Sequence, residues 1–453
     1  MARVTAASAL RRRVVTCLGV SAVVLVYLLV RKVEAWVDLP SGSAPAFTAL
    51  YTATFAWLLW QTVLAYLERP HRARPGQQQQ LDRYHVAVLV PLYNEDPGFL
   101  RRCLESLLDQ SRPPDSVHVV DDGSKVDYTA QQEWFTAACA RQGVEASWQR
   151  TPNRGKRSAQ VTASERARAA DIFLTIDSDA DLDREAVAQM LQPMADPRVQ
   201  SVAGVVLAAN AERNLLTRCM DLYMTTWQLT ERSSQSVLRS VTVNTGVLAA
   251  YRAAILRDHT HAYLHETFLG RTVHFSDDSM LTLFAKLRGR TVQQPTAFAL
   301  AAQPETLSHH VRQQLRWMRG SAIRTCWRLR YLPLSQYAFW TQLVHIFLAV
   351  TCGLVFAWLF LVQPFVVGVP LWMFVVVPVT ISYVESLRYL TIRRHGQSLR
   401  RQLGVFALAP LAMLWSTVVL RALKWYGVAT CARTGWGTRA NVEVRPAPSA
   451  GTG

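Results

Sequence analysis

Acidic side chains and paired cysteines are scarce in this sequence. Its 453 residues carry 32 Asp and Glu against 49 Lys and Arg, a formal net charge of +17. The seven cysteines (Cys17, Cys103, Cys139, Cys219, Cys326, Cys352 and Cys431) are odd in number, scattered and never spaced as CxxC. That pattern argues against a disulfide framework and a structural zinc, and fits a reducing compartment. A basic chain can serve nucleic acid, an anionic membrane surface or a phosphorylated substrate. No zinc-knuckle spacing or other nucleic-acid signature is present, so nucleic acid ranks last. No obligate protein partner is evident either.

The arginines gather beside apolar runs, as on the cytoplasmic flanks of membrane helices. Arg11, Arg12 and Arg13 precede the uncharged stretch Val14 to Val30, and Arg69, Arg72 and Arg74 close a second one, Ala46 to Leu67. Each is about long enough to cross a bilayer core. A cleaved signal peptide would need a small-residue cleavage site, and no convincing one follows the first run. Pro70 to Gln80 reads as a polar linker. Near the other end, Phe339 to Val362 and Val366 to Val384 are spanning runs joined through Gln363 and Pro364. Leu403 to Leu420 is a third, interrupted by Pro410, and the tail after Gly435 is polar and expected to be disordered at its end.

Between these runs the pattern is that of an α/β unit. His85 to Val90, Val117 to Val120, Val144 to Trp148 and Ile172 to Ile176 are short β-prone runs, with helical spacing between them, as at Leu100, Cys103, Leu104, Leu107 and Leu108. Alternating strands and helices imply a mostly parallel sheet, whose polar post-strand loops converge on one edge. The chain therefore divides into residues 1–80 (two membrane helices and a linker), 81–330 (the α/β domain), 331–428 (a second membrane region) and 429–453 (a tail).

Five polar clusters and one glycine-flanked tryptophan carry possible chemistry. Asp177-Ser178-Asp179 ends a strand, where paired carboxylates suit a hard divalent cation shared with phosphates; the alternative is an acidic turn. Asp121-Asp122-Gly123 either accepts hydrogen bonds from a nucleoside or caps a turn. Asn153-Arg154-Gly155-Lys156-Arg157 is a basic loop able to lie against a pyrophosphate, or simply a solvated one. Asp277-Asp278 can supply a general base or cap the following helix, Met280 to Leu287. Gln313-Gln314-Leu315-Arg316-Trp317 sets a guanidinium beside an indole, for a diphosphate and a sugar face or for a membrane interface. Trp436, between Gly435 and Gly437, is either a lid element or an interfacial anchor.

Together these strings resemble the processive, membrane-embedded family 2 glycosyltransferases of GT-A fold. PLYNE, VVDDGS, NRGKR, DSD, the paired Asp, QQLRW and WGTR occur in order from Arg83 to Arg439. NRGKRSAQ, ETFLGRTVHFSDDSMLT and TGWGTR are closer to bacterial hyaluronan synthases than to the related chitin, chitooligosaccharide and cellulose synthases. The resemblance implies a GT-A domain inserted between transmembrane segments. It implies UDP-sugar donors, a growing polysaccharide and the lipid bilayer as partners, and Mg²⁺ or Mn²⁺ as cofactor.

By the same resemblance Asp121 and Lys156 hold the uridine end, Asp177 contacts the nucleotide and Asp179 binds the metal. Asp278, beside Asp277, is the general base. Arg316 steadies the diphosphate, Trp317 stacks under the acceptor, and Trp436 and Arg439 gate the site. Tyr93, Glu95, Arg157 and Gln313 join the substrate-binding set. Transfer would be inverting, with no covalent intermediate.

Two positions depart from the hyaluronan synthase pattern. Ser276 stands where Gly is usual before the paired Asp, and Asn244-Thr245-Gly246-Val247 replaces Cys-Ser-Gly-Pro. A single-donor, chitin-type polymer therefore remains open, and an inactive protein that keeps the fold for binding or export is the remaining class. The intact DSD, paired Asp and Arg-Trp speak against that last one. A cytoplasmic catalytic domain and tail at the plasma membrane require an even number of crossings. With two at each side, Leu403 to Leu420 is expected to form a hairpin around Pro410 or an interfacial or re-entrant element.

Overall fold

The computed structural model describes residues 4–6, 9–36, 44–357 and 372–435. Strands β1 (Val4–Ala6), β2 (Val86–Leu92), β3 (Ser116–Asp121), β4 (Glu145–Arg150), β5 (Ile172–Thr175), β6 (Asp181–Leu182) and β7 (Val199–Ala208) come first. They are followed by β8 (Ala249–Arg252), β9 (Thr267–Phe268), β10 (Arg271–Thr272), β11 (Arg290–Ala301) and β12 (Ile392–Arg394). Eight of them form one sheet in the order β4-β3-β2-β5-β8-β7-β11-β6. β4, β3, β2 and β5 are mutually parallel, as are β7 and β11, while β8 and β6 pair antiparallel with their neighbours. The sheet is thus mostly parallel.

Its central strands are buried and mostly apolar because helices cover both faces. β2 and β5 are buried throughout. One core layer joins Leu100, Leu104 and Leu107 of the Pro97–Leu108 helix to Val88, Val90 and Leu174; the other joins Leu89 and Phe173 to Tyr251, Leu281 and Phe284. The chain leaves β2 towards β3 on one side, and later enters β5 on the other. This reversal opens a crevice past the carboxyl ends of β2 and β5, where doubly wound sheets place ligands.

Outside the sheet, helices Ala9–Trp36, Ala44–Leu67, Tyr337–Ala357 and Trp372–Ser386 coincide with expected apolar runs. Residues 358–371, including Gln363 and Pro364, lie outside the described residues. Among the described residues one helix, Leu399–Ala429, is long and apolar enough to cross a membrane, and Ala56–Leu67 and Tyr337–Thr351 are shorter apolar helices.

Two expectations are corrected. The hairpin around Pro410 does not form: Leu399–Ala429 runs on as helical segments, with Pro410 in the first turn of Ala409–Trp415, where its missing N–H costs nothing. Pro70 to Gln80 is only partly a linker, because Pro75 opens a helix, Pro75–Arg83, and Gln77 closes back onto the Arg74 amide.

The Ala44–Leu67 helix is tied to the sheet through the next residue. Glu68 Oε2 accepts from Ser233 Oγ at 2.5 Å and Arg388 NH2 at 3.1 Å, and its Oε1 accepts from Gln293 Nε2 on β11 at 3.1 Å. The Glu68 side chain is 1% exposed and that of Arg388 11%. Removing one partner of so buried a pair strands the other charge. Glu68→Ala should therefore destabilise the fold by about 3 kcal/mol, read as a lower thermal unfolding midpoint of the purified protein.

Candidate active site

The loops after β2, β3 and β5 meet at the sheet edge, held together by their own polar groups. Asn94 N donates to Ser124 Oγ at 2.9 Å, Lys125 N to Asn94 Oδ1 at 2.8 Å, and Ser178 Oγ to Glu95 Oε2 at 3.1 Å. Asp122 receives the amides of Arg154 and Gly155, each at 2.8 Å, and so fixes the basic loop as it enters the Lys156–Arg166 helix. Gly123, at φ +75°, lies so close to this loop that a Cβ would stand 2.8 Å from Asn153 N. Those loops border a cavity of ≈ 1110 Å³, completed by the helices Asp277–Arg288 and Leu307–Tyr331.

Lys156 is the centre of the charge pattern. Its Nζ lies 2.7 Å from Asp177 Oδ1 and 2.9 Å from Asp277 Oδ2, bridging the DSD and the paired aspartates. Burial opposes its charge, but the Asp177 and Asp277 carboxylates outweigh this and raise its proton affinity. Burial likewise works against the Asp277 carboxylate, and Lys156 nevertheless holds it below its ordinary range. Asp278 goes the other way: burial, then the adjacent Asp277 charge, pushes its carboxyl up to about 6. Ser276, not either aspartate, is the helix N-cap, and Asp277 and Asp278 occupy the first turn, where the helix dipole favours carboxylates. Asp278 Oδ1 accepts from Ser279 N at 2.6 Å.

Of the residues named from the sequence, Tyr93, Lys156, Asp177, Asp179, Asp277, Asp278, Gln313, Arg316 and Trp317 line this cavity. Three others do not. Asp121 is buried and caps its own turn, accepting from Ser124 N at 2.9 Å, and Asp122 faces the cavity instead. Glu95 is buried beneath the DSD, and Arg157 turns inward to Glu266 at 2.7 Å. Lys156, expected at the uridine end, stands between the two carboxylate groups. Trp436 and Arg439 lie outside the described residues. Immediately before them, Thr434 O accepts from His274 N at 3.3 Å, four residues ahead of Asp278.

Sequence reasoning missed Arg324 and Arg328, two turns and more beyond Trp317 on the same helix, and Tyr223 and Trp227, all of which line the cavity. The i, i+4 spacing of Arg324 to Arg328 and of Tyr223 to Trp227 was the available signal. Gln313 Oε1, Gln314 Nε2 and Thr245 Oγ1 are buried without a hydrogen-bond partner at its wall, leaving capacity for a hydroxyl-rich ligand.

The residues present fit a hard divalent cation. Burial, then the carboxylates of Asp179, Asp181, Glu95 and Asp177, pushes the Cys103 thiol well above its ordinary range, reporting concentrated negative charge around the DSD. Among the described residues no group of three or more His, Cys, Asp or Glu forms a closed metal cage. One or two carboxylates completed by substrate phosphates is how such ions are held beside nucleotides.

A parallel sheet ending in a DSD, a tethered basic loop and a poised carboxylate pair define a GT-A-type, nucleotide-sugar glycosyltransferase. Residues 87–260 match the family described as Glycosyl transferase family 2. Over 396 residues the chain is 30% identical to the hyaluronan synthase of Streptococcus pyogenes, covering 86% of this chain and 90% of that one. Over 258 residues it is 35% identical to an N-acetylglucosaminyltransferase of Azorhizobium caulinodans, covering 56% of this chain and 64% of that one. A solved mannosyltransferase, PcManGT from Pyrobaculum calidifontis in complex with GDP-Man and Mn²⁺, shares the fold. Its TM-score is 0.53 at 20% identity, over 85% of this chain and 97% of that one. The chain belongs to glycosyl transferase family 2 and is a homologue of hyaluronan synthase.

Asp122 holds two loop amides, and hydrogen bonds to a charged acceptor contribute about 1.5–3 kcal/mol each. Asp122→Ala should raise the donor KM about tenfold with a smaller change in kcat, measured by steady-state release of nucleoside diphosphate.

Proposed function

We propose that this enzyme is a membrane-embedded, processive, inverting synthase that builds hyaluronan from UDP-GlcNAc and UDP-GlcA and exports the polymer. The observation that carries the reading is the Lys156 bridge, which sets a donor-side DSD and an acceptor-side carboxylate pair within one cavity. Asp278 acts as the general base, taking the proton of the acceptor hydroxyl as that oxygen attacks the anomeric carbon and the diphosphate departs. Asp277, kept ionised by Lys156, maintains the like charge that keeps Asp278 basic. Arg316 faces the departing diphosphate, and Trp317, 37% exposed, offers its ring to the acceptor sugar. Asp179, beside Asp177, would hold Mg²⁺ or Mn²⁺. The ion would supply charge neutralisation at the diphosphate.

Other contacts support the membrane arrangement. Both ends of the Leu399–Ala429 helix touch the catalytic unit: Arg401 lies 3.6 Å from Glu212, and Thr430 Oγ1 accepts from Arg319 Nε at 3.1 Å. This supports an interfacial element and leaves the crossings to the helices at Ala9–Trp36, Ala44–Leu67, Tyr337–Ala357 and Trp372–Ser386. The His274–Thr434 contact supports Trp436 and Arg439 as a gate beside Asp278.

A chitin-type, single-donor synthase is the second reading. It is favoured by the N-acetylglucosaminyltransferase relative and by the altered loop at Gly246, where a Cβ would stand 3.1 Å from Lys156 Nζ. Membranes incubated with UDP-GlcNAc and UDP-GlcA, singly and together, decide between them. Hyaluronidase-sensitive polymer should form only with both, and polymer from one donor would reject hyaluronan.

The base must be ionised to accept a proton, so activity is present above its pKa and lost below it. kcat/KM for UDP release should fall with an acid limb near pH 6, about tenfold per pH unit below it. Asp278→Asn should lower kcat by about 10³-fold, and retained turnover would sink the assignment.

A further inference from the structure

Glu266 lies behind the reacting carboxylates and outside the cavity wall, buried to 5% exposure. Every polar contact of its carboxylate goes to a cation or an indole. Oε2 accepts from Arg157 NH2 at 2.7 Å and from Arg324 NH2 at 3.0 Å. Oε1 lies 2.9 Å from Arg324 NH1 and accepts from Trp327 Nε1 at 2.8 Å. Both arginines then act on the turn that carries Asp277 and Asp278. Arg157 donates to the carbonyls of Tyr263 at 2.9 Å and Phe275 at 2.8 Å, the second immediately before Ser276. Arg324 NH1 reaches Met280 Sδ, on the first turns of the same helix, at 2.7 Å. Lys156, next to Arg157 in the chain, holds Asp177 and Asp277. One carboxylate therefore ties together the basic-loop helix, the turn before the paired aspartates and the helix bearing Arg316 and Trp317.

We propose that Glu266 is a positioning residue of the transfer reaction, clamping Arg157 and Arg324 so that Asp278 is held in place and its basicity is preserved. The electrostatic half of this follows from the groups around Asp278. Lys156 faces it from the basic-loop helix and Asp177 from the end of β5, while Arg157 acts on the adjacent Asp277. Arg324 and Arg328 face it from the Leu307–Tyr331 helix, Arg232 from beside β7, Tyr251 from β8, Tyr263 from the helix before Glu266, and Asp277 from its own turn. Three of those facing Asp278, on Arg232, Arg324 and Arg328, are guanidinium groups. Glu266 pairs directly with Arg324 and with Arg157 beside Asp277. Without its charge the surroundings become more positive, the Asp278 carboxylate is stabilised, and it becomes a weaker base.

The proposal rests on Asp278 being the base, and one set of measurements separates the two ideas. UDP release by the full-length, membrane-embedded enzyme is followed against pH for wild type, Glu266→Gln, Glu266→Asp and Trp327→Phe. Glu266→Gln should lower kcat about tenfold, leave the donor KM within about twofold, and move the acid limb down by about half a pH unit or more. Glu266→Asp, which keeps the charge, should restore the wild-type limb, and Trp327→Phe should leave it in place. A limb that stays put in Glu266→Gln while kcat falls overturns the proposal, because a purely structural plug acts equally at every pH. If Glu266→Gln does not fold, Glu266→Asp decides: a wild-type limb supports the proposal and a displaced one overturns it. A wild-type enzyme with no acid limb overturns the base role of Asp278, and this proposal with it.

Discussion

The ammonium of Lys156, set between Asp177 and Asp277, is the contact on which the rest of the site depends. Asp177, Asp179, Asp277 and Asp278 all border one cavity, and carboxylates so gathered repel one another and resist ionisation. A cation in their midst makes the arrangement affordable, and buried charges are tolerated when paired and hydrogen-bonded in this way. The bridge is also geometric. It joins the end of a central strand to the start of a helix about a hundred residues later. The DSD and the paired aspartates consequently share one rigid mount, and the asymmetry between Asp277 and Asp278 follows from which of them the ammonium touches.

Much of this was legible in the residues. Buried parallel strands announce themselves as unbroken apolar runs, and the four named in sequence match β2 to β5 to within two residues at either end. The convergence of post-strand loops also followed, since topology dictates it. What could not be read was direction. Asp121 and Asp122 are neighbours in a DDGS string, yet one closes its own turn and the other holds the basic loop. Arg157 looks like Lys156 in sequence yet leaves the cavity for Glu266, because a helix that begins at residue 156 turns successive side chains about 100° apart. Glu266 was invisible for a related reason: a single acid in a mixed string carries no mark of burial, and its partners come from two distant segments, the basic-loop helix and the helix bearing Trp327.

The apolar helices follow a looser logic. Length and hydrophobicity identify them, but where they sit is set by polar contacts at their ends. Glu68 binds one helix to β11, and Arg394 binds the segment after another to Asp221 and the carbonyl of Ala208. Such pairs hold the α/β unit against the apolar helices through directional bonds, so the cavity mouth keeps a fixed attitude towards the helices beside it. Pro410 illustrates the limit of composition as a guide: a proline signals a break only where an N–H was needed.

Ser276 adopts a left-handed backbone, φ 59°, a conformation that favours glycine, and its hydroxyl occupies the space beside Gly320 on the neighbouring helix. A Cβ at Gly320 would overlap Ser276 Oγ. The two positions are therefore coupled: a larger residue at 320 requires Ser276 to turn its hydroxyl elsewhere or to be replaced, and Phe275 still borders the space. The turn that presents the paired aspartates is thus sensitive to a substitution on a different helix.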